Sequence, residues 1–186
     1  KFRLADTYKS SDLPQSNAIY LEYHTDLVKS YQNNEGILVF YNRDYKPIAK
    51  NGHSFDSTEK VIYVLYSLFA LLQIETTVGK HGMLHKELFV FDKKSKEKYP
   101  KVIILGYGLA SMVTETTNDL EKTKEIFQDF GWTTPKLLEK MSNNKTFVQL
   151  YRDLVTDFSW FPDDSNVETI FDIIFHTIVL GDRSLE

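Results

Sequence analysis

A long, broadly apolar segment between Asp56 and Gly79 constrains the fold of this chain more than any other feature of its sequence. Asp56 and Glu59 have the spacing of a capping box, which predicts that a helix begins there. The apolar side chains that follow cover more than half of the helix circumference: Val61, Ile62, Val64, Leu65, Leu68, Phe69, Leu71, Leu72 and Ile74. A helix that is apolar on most of its faces is usually buried. We therefore expect the rest of the chain to pack around it.

Runs of strand-forming residues and of helical periodicity divide the rest of the chain. Strands are predicted at residues 18–23, 37–41, 88–91 and 102–105, with a turn at 32–36 and a lysine-rich hairpin loop between the last two strands. The segment 45–50 is ambiguous. Helices are predicted from Asn118 or Asp119 to about residue 130, over 135–141, over 147–158, and after a second capping box formed by Ser165 and Glu168. Strands and helices that are segregated along the chain favour an α+β fold.

Composition excludes several classes of function. The chain has 186 residues and a formal net charge of −4, so it lacks the basic excess that is typical of nucleic-acid-binding domains. It has no cysteine, which removes disulfides, thiolate metal sites and cysteine nucleophiles, and favours an intracellular location, cytoplasmic or nuclear. The longest apolar stretch is too short to span a bilayer, and we expect no membrane partner.

Two short motifs suggest chemistry when each is considered alone. His81 and His85 have the i, i+4 spacing of a zinc pair on a helix, but Gly82 occupies the position of the glutamate that zinc proteases use as the general base. The simpler interpretation is one packed and one exposed histidine, with no metal. Gly106-Tyr107-Gly108 follows a predicted strand, as the glycines of a dinucleotide-binding turn do, yet the residues after it are poor helix formers.

The order and spacing of the two motifs resemble those of protein kinases. Residues 81–91, HGMLHKELFVF, resemble the kinase catalytic loop in its form HGDLKPENILV, and residues 101–110, KVIILGYGLA, resemble the metal-binding segment KxxDFGLA. The lysine-rich hairpin falls between them, and the long helix precedes them, as in the family. The resemblance covers roughly residues 36–180. It implies a kinase-like fold with partial N-lobe-like strands in residues 1–41 and a predominantly helical C-lobe-like domain in 42–186, so that the N-lobe is reduced or truncated.

The departures from the kinase pattern fall on the residues that perform phosphoryl transfer. The catalytic aspartate, the magnesium-binding asparagine and the magnesium-binding aspartate of the family correspond to Met83, Leu88 and Gly106. His81, Tyr107 and Gly108 complete the degenerate kinase-motif positions. The resemblance therefore implies a pseudokinase, with no catalytic residue, no metal, no cofactor and no tight binding of ATP and magnesium. Apolar side chains at these positions are expected to let the former site collapse into the core.

These observations lead to one main function and to open alternatives. The main hypothesis is a catalytically inactive kinase-like domain that acts as a protein-interaction scaffold or as an allosteric regulator of a protein partner. The alternatives are a nucleotide-cofactor-binding enzyme that uses the turn at Gly106 to Gly108, an atypical active phosphotransferase, and an α+β domain whose kinase likeness is chance. Five aromatic residues are candidate partner contacts, although core packing is the simpler expectation for each: Tyr41, Tyr45, Trp132, Trp160 and Phe161.

Overall fold

The computed structural model describes residues 29–33, 36–40, 45–48, 54–77, 79–92, 94–106 and 118–176. The strand predicted at residues 18–23 and the motif residues Tyr107 and Gly108 lie outside these ranges. Within them the chain forms strands first, then a long helix, then a strand pair and four further helices. The α+β class is confirmed, whereas the kinase-like fold and the division of the chain at residue 41 stay predictions.

The long helix α1, Ser57–Thr77, is the centre of the structure. It begins with the predicted capping box, because the Glu59 N–H donates to Asp56 Oδ1 at 2.8 Å and the Asp56 N–H donates to Glu59 Oε2 at 2.9 Å. Val64 and Leu68 are fully buried at its middle. The helix contacts two of the later helices and one strand of the small sheet, so most of its apolar side chains are buried, as the sequence predicted.

Three short strands form an antiparallel sheet beside α1. They are β3, Tyr45–Pro47; β4, Phe89–Asp92; and β5, Ile103–Ile104, and they are ordered β3-β4-β5. The register pairs Phe89 with Ile104. The hairpin predicted around the lysine-rich loop is therefore present, and it brings the ends of the two kinase-like motifs to the same edge.

A separate antiparallel hairpin lies near the start of the described chain. Its strands are β1, Lys29–Asn33, and β2, Gly36–Phe40. The strand predicted at residues 37–41 is confirmed within one residue, but β1 was not predicted. The turn predicted at 32–36 is wrong in part, because Gln32 and Asn33 pair with Ile37 and Gly36. The residues of β1 are mostly polar and have low strand propensity, but they form a strand because they pair with the apolar strand β2.

Four helices follow the sheet, and a polar side chain caps the start of each. They are α2, Asp119–Asp129; α3, Pro135–Asn143; α4, Phe147–Thr156; and α5, Val167–Ile174. The capping box predicted at Ser165 and Glu168 is wrong. Asn166 is the cap, and its Oδ1 accepts the Thr169 N–H at 2.9 Å. The helix begins one residue later than predicted, and the Ser165 hydroxyl is buried without a hydrogen-bond partner among the described residues.

The core is rich in aromatic rings, and both tryptophans belong to it. Trp132 packs against Phe55, Tyr63, Phe127 and Phe130, with ring centroids between 4.6 and 6.1 Å apart. Trp160 is buried, and its Nε1–H donates to the Leu154 carbonyl at 3.0 Å.

Burial decides which of the five candidate contact residues can meet a partner. Trp132 and Trp160 are excluded, because the core encloses them. Tyr45 and Phe161 are half-buried, and Tyr41 lies outside the described residues. Among the described helices, none combines the length and the apolar character that crossing a membrane requires.

Candidate functional site

The two kinase-like motifs meet at one end of the β4–β5 hairpin. His81, Met83 and Leu88 lie in the connection between α1 and β4, and Gly106 lies just after β5. The Leu105 N–H donates to the Leu88 carbonyl at 3.0 Å, which extends the strand pairing up to the site. Four of the six predicted site residues are thus in the described structure, and the hairpin brings them together.

His81 is the anchor of this site. Its side chain is buried, and its Nε2 lies 2.8 Å from the Leu105 carbonyl oxygen. The Met83 N–H donates to its Nδ1 at 3.2 Å. Because Nδ1 accepts a hydrogen bond, the proton must be on Nε2, where it is donated to the carbonyl. Both nitrogens are used, so the ring connects the loop to the end of β5.

Burial also sets the charge of the His81 ring. Burial lowers the pKa of His81 below its usual range, while the hydrogen bond to Leu105 and the nearby Asp119 carboxylate act in the opposite direction. The neutral ring is also the form that satisfies both hydrogen bonds, since a protonated ring could not accept the Met83 N–H. His81 is therefore a structural residue, because both of its nitrogens are occupied.

Asp119, in the first turn of α2, clamps the same loop from the opposite side. Its Oδ2 accepts the His81 N–H at 2.6 Å, and its Oδ1 accepts the Gly82 N–H at 2.9 Å. A carboxylate that receives two backbone N–H groups makes strong, charge-assisted hydrogen bonds. Sequence reasoning considered Asp119 only as a possible helix cap and missed this role. Asn118 performs the capping, with its side chain accepting from Leu120 and Glu121.

Gly106 lies where a side chain would meet the other motif. Its φ is +83°, a conformation that side-chain-bearing residues rarely adopt. A Cβ atom at this position would lie 3.6 Å from Leu88 Cδ1 and 3.7 Å from the His81 ring. The backbone conformation therefore favours glycine. The groups nearest to the position of its missing Cβ are the Leu88 side chain and the neutral His81 ring.

Met83 and Leu88 occupy different environments. Leu88 is half-buried and faces Gly106, whereas Met83 is 52% exposed. The expectation that all apolar replacements collapse into the core is therefore wrong for Met83. Its backbone is fixed by the hydrogen bond to His81, and the side chain is left on the surface.

His85 completes the loop without forming a metal site with His81. It is exposed and caps a single 3₁₀ turn, Lys86–Leu88, by accepting the Glu87 N–H at 3.3 Å. The loop is not a helix, so the i, i+4 spacing does not place the two rings on one face. The described part of the chain contains no group of three or more histidine or acidic side chains that could hold a metal ion. One packed and one exposed histidine is confirmed.

A cavity of about 150 Å³ lies behind the loop, between the end of α1 and the starts of α2 and α4. Glu75, Lys80, Asp119 and Lys145 contribute polar groups to its wall. Ligand pockets generally have volumes of about 300–1,000 Å³. This cavity is below that range, and both of the carboxylates in its wall already accept hydrogen bonds. Asp119 holds the loop, and Glu75 accepts the N–H groups of Phe147 and Val148 at 3.1 Å each.

Four described residues stand at the motif positions of this site: His81, Met83, Leu88 and Gly106. They offer a glycine, a leucine, an exposed thioether and a neutral imidazole with both nitrogens bonded. None of these can accept a proton from a substrate hydroxyl or bind a hard cation such as magnesium in this arrangement.

Comparisons of the chain with protein-family models, with curated proteins and with solved structures find no match.

Proposed function

We propose that this chain is a catalytically inactive, kinase-like domain that acts inside the cell as a protein-interaction scaffold or allosteric regulator. One observation carries the proposal. At the three positions where the resemblance places the acidic and amide groups of phosphoryl transfer, the chain has Met83, Leu88 and Gly106. All three lie on or beside a loop that is firmly held in place.

Two hydrogen-bonded anchors support the view that the loop serves structure. His81 ties it to the end of β5, and Asp119 ties it to α2. Phosphoryl transfer depends on a carboxylate that positions the substrate hydroxyl and on oxygen ligands for magnesium. A loop that keeps its anchors and lacks those groups can preserve a fold and a surface, but it has no means to move a phosphoryl group.

An interaction role also agrees with the exposed apolar side chains of the described structure. Met83, Phe171 and Phe175 are 52%, 40% and 52% exposed. Exposed apolar side chains indicate a protein contact where they adjoin one another, as Phe171 and Phe175 do at helical spacing. The proposed partner is a protein, with no nucleic acid, no membrane and no cofactor.

Thermal unfolding in the presence of nucleotides tests the proposal. We expect no change in Tm with ATP or ADP, with or without magnesium. A ligand present at about 100 times its Kd would stabilise the fold by roughly 2.7 kcal/mol, which corresponds to a rise of about 5–10 °C for a domain of this size. A magnesium-dependent rise with ATP would overturn the assignment of an inactive site and favour an atypical phosphotransferase.

The same experiment tests the alternative enzyme. A rise in Tm with NAD alone would favour a nucleotide-cofactor site at the sequence Gly106-Tyr107-Gly108. The matched variant is Gly106→Ala, which should abolish such a rise. Under our proposal, neither the wild type nor this variant responds to NAD.

A further inference from the structure

The outer face of α5 exposes an apolar ridge. Val167, Phe171 and Phe175 are spaced four residues apart and are 44%, 40% and 52% exposed. Side chains at this spacing lie on one side of a helix. The opposite side of α5 contacts α1 and includes Ile170, which is fully buried. The ridge is therefore a second apolar face on a helix whose inner face already packs against the core.

Aromatic contacts hold part of the ridge in place. The Phe171 ring packs edge to face against the Phe158 ring, with a centroid distance of 4.7 Å. The ring centroids of Phe158 and Phe161 lie 5.4 Å apart. Phe161 in turn packs against the buried Trp160. Phe171 is thus supported by a row of rings that leads into the core. An aromatic side chain that is already ordered loses little entropy when it binds a partner.

Acidic side chains are concentrated around the ridge. Asp163, Asp164, Glu168 and Asp172 are all exposed, and none forms an ion pair with a described residue. The sequence from 153 to 182 contains seven acidic residues and no lysine or arginine. The rest of the chain has 22 basic and 19 acidic residues, so the negative charge of the protein is concentrated in this segment.

We propose that this surface, the α5 ridge with its acidic rim, docks a basic amphipathic helix of a partner protein. The ridge offers an apolar strip of two helical turns, which matches the apolar face of a helix laid along it. The rim would pair with lysine or arginine on the flanks of that helix and repel an acidic one. A second copy of this chain is disfavoured as the occupant, because two such rims would face each other. The inference adds a partner class to the proposed interaction role and uses residues remote in sequence from the loop at His81.

Binding of a labelled synthetic peptide to the full chain tests this inference. The probe is an amphipathic helix of leucine and lysine, and its two controls are the same helix with glutamate in place of lysine and a scrambled sequence. We expect fluorescence anisotropy to show saturable binding of the basic helix alone. Binding should weaken steeply as salt is raised, because the rim charges are exposed and screened.

Two variants separate the apolar from the charged contribution. Phe171→Ala with Phe175→Ala should weaken binding at least about tenfold, since aromatic anchors carry most of the binding energy in such contacts. D163N/D164N/E168Q/D172N should weaken binding and remove most of its salt dependence. The matched control is E121Q/E125Q/D129N/E139Q, which changes the net charge equally on α2 and α3 and should leave the salt dependence in place. Circular dichroism confirms that each variant is folded.

Several results would overturn the inference. They are equal binding of the acidic or scrambled peptide, no effect of the double alanine variant, or equal effects of the two charge variants. Self-association of the protein that is lost in Phe175→Ala would show that a second copy covers the ridge instead. A magnesium-dependent ATP response would contradict the proposed function but leave these binding results unchanged, so the two proposals fail separately.

Discussion

At the scale of single residues, Asp119 and His81 together determine where the loop between α1 and β4 lies. Asp119 reaches the loop from α2 and receives the N–H groups of His81 and Gly82. His81 reaches from the loop to the Leu105 carbonyl. Each residue connects segments that are far apart in sequence, so each should matter more to stability than an exposed side chain of the same type.

Asp119→Ala should destabilise the protein by about 3 kcal/mol, because it leaves two partly buried N–H groups without their charged acceptor. Urea unfolding measures the change. The matched control is Asp129→Ala on the same helix. Among the described residues, Asp129 pairs only with Lys86, whose Nζ lies 3.2 Å from Asp129 Oδ2. Both side chains are exposed to solvent, so the loss of Asp129 should cost less than about 0.5 kcal/mol. Equal losses of unfolding free energy in the two variants would show that Asp119 does not hold the loop in place.

His81 should make the fold sensitive to mild acid. Its pKa is lowered in the folded state, whereas the unfolded imidazole titrates near its usual value of about 6.5. The stability contributed by neutral His81 is therefore complete above about pH 6.5 and is lost as the pH falls through the folded pKa. Nitrogen NMR of the ring should show the Nε2–H form persisting below pH 6.5.

The matched control replaces the exposed His85. Urea unfolding at about pH 7 and about pH 5 should show a loss of stability in wild type and in His85→Gln, and a smaller loss in His81→Leu. A His81 ring that becomes protonated at or above its usual pKa would show that the hydrogen bonds to Leu105 and Met83 do not hold it neutral.

At the scale of elements, the start of α5 shows how a cap is chosen between neighbours. Ser165 and Asn166 are both good capping residues. Asn166 takes the position, and its own N–H donates to the hydroxyl of Thr58 on α1 at 2.8 Å. Ser165 Oγ is buried without a partner among the described residues. Tertiary contact with α1 therefore selects the residue at which the helix begins.

Alanine substitutions at the two positions should have different effects. Asn166→Ala should cost about 1 kcal/mol, the usual value for the loss of a helix cap. Ser165→Ala should be neutral or slightly stabilising, because it removes a buried hydroxyl that has no partner. Thermal unfolding of the pair measures the difference. A larger loss of stability in Ser165→Ala than in Asn166→Ala would mean that Ser165 caps α5, as its spacing to Glu168 predicts.

At the scale of the whole molecule, α1 joins the parts that would otherwise be separate. It contacts α4, α5 and β5. In its last turn, Glu75 receives the first N–H groups of α4 at 3.1 Å each. A carboxylate at a helix start also interacts favourably with the helix dipole. Both apolar packing and hydrogen bonding therefore link α1 to the C-terminal helices.

Leu68→Ala, at the fully buried centre of α1, should destabilise the protein by about 3–5 kcal/mol through lost burial and a cavity. The unfolding transition should remain single, because α4, α5 and β5 all pack against α1 and are weakened together. The control is Leu72→Ala on the same helix, where the side chain is only partly buried and the cost should be clearly smaller. Two separate transitions for Leu68→Ala would show that α1 does not unite the structure.

Much of the secondary structure could be predicted because it depends on local chemistry. Each of the successful signals lies within a short stretch of sequence. They are the apolar periodicity and capping box of α1, Pro135 at the start of α3, and the lysine-rich loop between β4 and β5. The strand β1 and the cap of α5 were missed because each depends on a partner elsewhere: β2 for the first, and Thr58 on α1 for the second.

The sequence by itself determined that the side chains of Met83, Leu88 and Gly106 offer no acid, base or hard-metal ligand, because residue identity alone decides this. It also determined the buried helix around which the chain packs. Only the tertiary structure decided that Met83 is exposed, that Asp119 holds the loop, that both tryptophans are buried and that Phe171 and Phe175 form a ridge. These facts depend on distances between elements far apart in the chain, and periodicity within one segment contains no information about which face meets which neighbour.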